Sequence, residues 1–200
     1  QIPWKEGGQE VRAQQRENLL MGRDRSDGPE GRALADRCLV SYASTMPFIS
    51  SFYNNNMQIV QSPTHVMLLA EMVHNVRVVR IDQDFRNLPY NQWLGDSIGY
   101  YEGDSLVVIT KNFNPWQVKE YLISENVTLT ERFTRVGEDK MHYAFTIDDP
   151  ELYSQPWTAE MPMTTLEDQL YEYACHEGNY SLPAILAGAR REEMDANASQ

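Results

Sequence analysis

Nowhere do apolar residues run uninterrupted over the roughly 18 positions that a membrane-spanning helix needs, so no helix of this 200-residue chain is expected to cross a bilayer. Basic side chains are scarce. Seventeen Lys and Arg stand against 29 Asp and Glu, for a net charge of −12. Neutralising phosphates takes clustered cations, so nucleic acid is not an expected partner, and anionic membrane surfaces are disfavoured for the same reason. The deficit is uneven: residues 1–37 hold equal numbers of acidic and basic side chains, so residues 38–200 carry the whole excess. There is no His-x-His, His-Glu-x-x-His or Cys-x-x-Cys spacing, and therefore no expected metal site or cofactor. Internal repeats and low-complexity tracts are absent too.

The remaining composition, 42% hydrophobic, is that of an ordinary globular domain able to bury a core. Cysteine is limited to Cys38 and Cys175. An even pair in an exported protein suggests one disulfide, which would tie the start of the folded region to its end at roughly 4–5 kcal/mol in the chain-entropy picture. Two reduced, buried thiols are the alternative. The chain opens at Gln1, which reads as a removed signal peptide or a trimmed terminus.

Residues 1–37 read as a polar N-terminal arm, with a short helix at about 30–37. Residues 38–200 read as a single β-rich domain. Apolar, β-branched runs at Met57–Gln61, His65–Met72, Val76–Ile81, Gly99–Glu102 and Leu106–Thr110 are separated by turn residues. Two strictly alternating strands follow, one placing Leu129 and Phe133 on a single face and the other Tyr143, Phe145 and Ile147. Trp157–Met163 and Leu170–Cys175 bring the count to about nine strands. One helix is expected at about 181–194, with Ser181 as N-cap, Pro183 in the first turn and a Leu182, Ile185, Leu186, Ala189 stripe. Many strands on short turns predict a mainly β fold: an antiparallel meander closed as a calycin-like barrel or folded as a sandwich, with an N-terminal arm and one C-terminal helix.

Three sets of residues could carry chemistry. Gly95-Asp-Ser-Ile-Gly99 and Gly103-Asp-Ser-Leu106 mimic serine-hydrolase signatures, but a nucleophile elbow needs a helix after the serine and a strand follows here. Glu131 falls between Leu129 and Phe133, in the inward register, and a carboxylate there needs a partner. Arg77, Arg80 and Arg132 are the options. With His74 and His176, Glu131 forms a possible acid–base set. The third set is aromatic. Trp93, Tyr101, Trp157 and Tyr173 combine flat apolar faces with polar tips and suit a ligand pocket, although most aromatics of a β domain are core.

Several stretches together resemble a family of exported bacterial proteins whose function is unassigned. They are Tyr53–Gln61, Glu71–Arg77, Trp93–Val108, Leu129–Val136, Pro156–Glu160 and the decapeptide Tyr171-Glu-Tyr-Ala-Cys-His-Glu-Gly-Asn-Tyr180. The resemblance spans about residues 38–190. It implies export through a cleaved signal peptide, hence a secreted or periplasmic protein, and it transfers no catalytic residue. The leading expectation is a module binding a small organic or carbohydrate ligand in an aromatic-rich pocket. An extracellular hydrolase or lyase using the Glu/His set is one alternative. A structural subunit that self-associates through residues 1–37 is another.

Overall fold

The computed structural model describes residues 2–20, 26–41, 44–50, 52–53, 55–117 and 123–198. Its centre is one eight-stranded sheet in which the strands follow each other in space as in sequence. They are β1 (Met57–Gln61), β2 (His65–Ala70), β3 (Val76–Ile81), β4 (Asp96–Glu102), β5 (Ser105–Lys111), β6 (Thr128–Arg135), β7 (Lys140–Asp148) and β8 (Trp157–Thr164). The sheet curls into a half-barrel with β1 and β8 as its two edges. All neighbouring pairs are antiparallel except β3–β4, where Val79 lies opposite Ser97 and Ile81 opposite Gly99 in parallel. A parallel pair needs the chain to travel back along the sheet, and residues 82–95 do this without any helix or strand.

Alternation fills the concave face. Leu129, Glu131 and Phe133 of β6 and Tyr143, Phe145 and Ile147 of β7 are all buried, while their neighbours Thr130, Arg132, Ala144 and Thr146 are half-buried on the convex side. Opposite these strands, residues 44–50 run across the hollow. Met46 and Phe48 are buried in it, and the Phe48 amide donates to Tyr143 Oη at 3.0 Å. Tilted and edge-on contacts extend from Phe133 through Tyr143 and Phe145 to Trp157, Tyr153 and Trp4. The half-barrel is thus packed with its own chain.

The periphery departs from the expectation in several places. The N-terminal stretch is not simply extended: α1 spans Gly8–Leu20, with only Gly8 and Arg12 buried among its described side chains. The short helix at 30–37 is reduced to a 3₁₀ turn at Pro29–Gly31 and further turns. Leu170–Cys175 forms no strand. That segment instead crosses the 71–74 turn, where the Tyr171 amide donates to Glu71 Oε1 (3.1 Å) and the Tyr173 amide to the His74 ring (3.1 Å). A single-turn helix, α2 (Cys175–Gly178), then leads into α3 (Ser181–Ala198). Asn179 Oδ1, rather than Ser181, accepts from the Leu182 amide.

No residue of α3 is buried. The helix is held from its margins, by Arg190 donating to the carbonyls of Ser26 and Asp27, by Asn179 donating to the Asp36 carbonyl, and by the Cys38–Cys175 disulfide just before it. No helix among the described residues is long and apolar enough to cross a membrane.

Candidate functional site

Two buried charge clusters interrupt the apolar sheet, one on each face. On the concave side the β3 and β6 registers bring Arg77 and Glu131 together as a two-pronged pair, both side chains almost completely shielded from water. Tyr143 Oη donates to Glu131 Oε1 at 2.7 Å, and Arg77 also donates to Thr110 Oγ1 at 3.2 Å. Thr110 in turn meets Ser97 Oγ at 2.8 Å. The Arg77 guanidinium lies 5.5 Å from the Phe48 ring centroid, a cation–π contact. Burial raises the Tyr143 phenol well above its usual range, and the adjacent Glu131 charge raises it further. Every oxygen of Glu131 is therefore engaged by a cation or a phenol that stays protonated. This is a charge-assisted brace across the barrel.

The second cluster sits on the convex side, where β3 turns into the 82–95 loop. Asp96 opens β4 and is almost wholly buried. Arg80 grips it with Nη1 at 2.7 Å and Nη2 at 3.1 Å, and Arg86 adds its amide (2.9 Å), Nε (2.9 Å) and Nη2 (2.7 Å). Burial alone would raise the Asp96 carboxyl, but the bonds from Arg80 and Arg86 outweigh it and hold it at about 2. Arg80 Nη2 also donates to the Asp84 carbonyl, and the Gln92 carbonyl accepts from the Gly95 and Asn114 amides. Gly95 closes the loop at φ +70, where a Cβ would come within 2.7 Å of Thr110 Cγ2 and 2.8 Å of the Lys111 carbonyl oxygen. Only glycine fits both the angle and the space.

A loop so braced frames a cleft of about 170 Å³. Arg86, Asn87, Leu88, Tyr90, Asn91, Gln92, Asp96 and Asn112 line it. Its polar character comes from four side-chain amides, each able to donate and accept. Tyr90, 63% exposed, is also part of the lining. With Asp96 neutralised by two guanidiniums, the floor carries no free negative charge.

The residues singled out from the sequence are distributed as follows. Glu131 is in the concave brace, His74 on the 71–74 turn against Tyr173, and His176 exposed in α2. The described bonds of Glu131 go to Arg77 and Tyr143, and neither histidine is among them. Among the aromatics, Trp157 belongs to the core stack and Tyr101 accepts from Gln61 Nε2 at 2.6 Å on β4. Tyr173 lies beside His74, and Trp93 follows Gln92 in the 82–95 loop. None of the four lines the cleft. No group of three or more His, Cys, Asp or Glu among the described residues could hold a metal ion. Ser97 and Ser105 both lie in strands and bond to threonines, Ser97 to Thr110 and Ser105 to Thr134.

No protein-family model matches the chain, and no curated protein or solved structure is significantly similar to it.

Proposed function

We propose that this chain is a binding module whose site is the cleft of the 82–95 loop, and that its ligand is a small, uncharged, hydroxyl-rich molecule of monosaccharide size. The observation carrying this reading is the 170 Å³ cleft lined by Asn87, Asn91, Gln92 and Asn112 over a neutralised Asp96. Adjacent hydroxyls each donate and accept, and so do carboxamides. A fixed set of amides therefore favours a polyol over a hydrocarbon, and the two guanidiniums on Asp96 disfavour a cation. The Arg80–Asp96–Arg86 cluster supports the same reading because it orders the loop before any ligand arrives, which lowers the entropic cost of binding. The aromatic stack makes a poorer site, since residues 44–50 already fill the hollow beside it. The Cys38–Cys175 bridge supports a place of action in an oxidising compartment, secreted or periplasmic.

Amide-resolved NMR titration with a panel of monosaccharides and polyols tests this. Shift changes should centre on Asn87, Asn91, Gln92 and Asn112. Asn91→Ala should weaken binding by roughly tenfold, the equivalent of one or two lost hydrogen bonds, with the melting temperature unchanged. Shifts centred instead on Trp157 and Tyr173, or no saturable shift with any member of the panel, would overturn this site.

A further inference from the structure

The two edges of the half-barrel are built differently. β8 carries Pro162, which has no amide proton, and exposed Glu160, both of which discourage a further strand. β1, Met-Gln-Ile-Val-Gln, has no charge, no proline and no bulge against β2. Its hydrogen-bonding pattern follows from its flanks. The Ser62 amide bonds to the His65 carbonyl and the Glu71 amide to the Asn56 carbonyl. Bonded pairs alternate in an antiparallel ladder, so Gln58 and Val60 bond inward to β2. Met57, Ile59 and Gln61 turn their amides and carbonyls to the open edge, where no described residue takes them.

The convex surface behind this edge is apolar. Val60, Met67 and Val78 form one row across β1–β2–β3, with Leu69 and Val76 paired beside it. Val60, Val76 and Val78 are 45%, 44% and 51% exposed. Charge singles out the same region. From Met57 to Ile81 the only one of the chain's 29 carboxylates is Glu71, which is buried and bonded to Asn56 and the Tyr171 amide.

We propose that β1 pairs antiparallel with β1 of a second copy of this chain, about a two-fold axis at Ile59, joining two half-barrels into a continuous sheet. With Ile59 opposite its symmetry mate and Met57 opposite Gln61, the outward groups of all three residues are satisfied at once. Gln58 then faces Val60 across the seam on the convex side. The register is self-complementary, as an isologous contact must be. The seam also lies where two molecules of net charge −12 bring no carboxylates together, which argues for a second copy over a charged foreign strand. Because the β8 edge is blocked, assembly stops at two. The cleft lies outside this seam, so the inference is independent of the proposed ligand.

Sedimentation of the intact chain across micromolar to submillimolar concentrations should give a species of twice 23.1 kDa. Q58K/V60K places four ammonium groups across the seam and should raise the dimer dissociation constant at least about tenfold, the scale of like charges set opposite each other on paired strands. V78K puts one ammonium group per chain on the same face about 10 Å from β1 and should leave the dimer intact. Melting temperature and circular dichroism report whether each variant folds. In the unmodified chain, the amides of Met57, Ile59 and Gln61 should gain exchange protection as the dimer fills. A chain that stays monomeric, a dimer undiminished in Q58K/V60K, equal loss in V78K, or a dimer whose three edge amides still exchange freely would each overturn the proposal.

Discussion

At the scale of single residues, the sheet holds two buried charge clusters, Arg77–Glu131 and Arg80–Asp96–Arg86, and each makes a separate prediction. Removing one partner of the concave brace leaves the other charged in a dry interior. Glu131→Gln should therefore cost about 3–5 kcal/mol in urea unfolding, whereas joint replacement with Arg77→Met and Glu131→Leu should cost much less, because no charge is then stranded. A pair of equal costs would mean that packing, not charge, sets the penalty. Asp96 predicts a pH dependence. Its carboxyl sits near 2 when folded against an ordinary 3.8, so its contribution is fully present above about pH 4 and is lost as pH falls through 2. The shift corresponds to roughly 2 kcal/mol. The stability gap between the unmodified chain and Asp96→Asn should accordingly close between pH 4 and 2, and a gap that holds constant would remove the titration argument.

At the scale of elements, the strands were legible because alternation exposes them. Leu129, Glu131 and Phe133 against Thr130 and Arg132 place one face inward, which correctly demanded a cation for Glu131 and left Arg77, Arg80 and Arg132 as choices. Choosing Arg77 required the sheet order, a property of pairings far apart in sequence. The β3–β4 parallel pair was hidden for the same reason: a crossover without a helix leaves only turn residues in the sequence. Those residues make the cleft, and Asn-Leu-Pro-Tyr-Asn-Gln reads as an ordinary loop until Arg80 and Arg86 converge on Asp96. α1 leaves no mark in the sequence because a helix lacking an apolar stripe has no period to detect. Leu170–Cys175 has the composition of a strand, but its Tyr171 and Tyr173 amides bond to the Glu71 and His74 side chains of the 71–74 turn. The 82–95 loop yields the element-scale prediction. Gly95→Ala strains a positive φ and presses on Thr110 and Lys111, so it should lower stability by about 1–3 kcal/mol. Hydrogen exchange should show residues 84–96 losing more protection than β6 and β7, whose protection falls only by the global change in stability.

At the scale of the whole molecule, the disulfide determines how the parts depend on one another. Cys38 and Cys175 are 137 residues apart, and the segment they enclose contains all eight strands, while α1 and α3 lie wholly outside it. Such a bridge acts chiefly by shrinking the unfolded ensemble, at up to about 5 kcal/mol for a loop of this length. The folded contacts around it do not depend on the S–S bond alone: Asn179 still holds the Asp36 carbonyl, and the Tyr171 and Tyr173 amides still reach Glu71 and His74. Reduction should therefore leave the circular dichroism of the folded chain nearly unchanged while lowering the urea midpoint. Exchange protection in β5, β6 and β7, where opening requires global unfolding, should fall by as much as several thousandfold, the scale of those roughly 5 kcal/mol. If reduction instead freed only α2 and α3 and left those central strands as protected as before, the bridge would be a local clasp on the C-terminal helix. The sheet would then owe its stability to its own packing and to the Arg77–Glu131 brace.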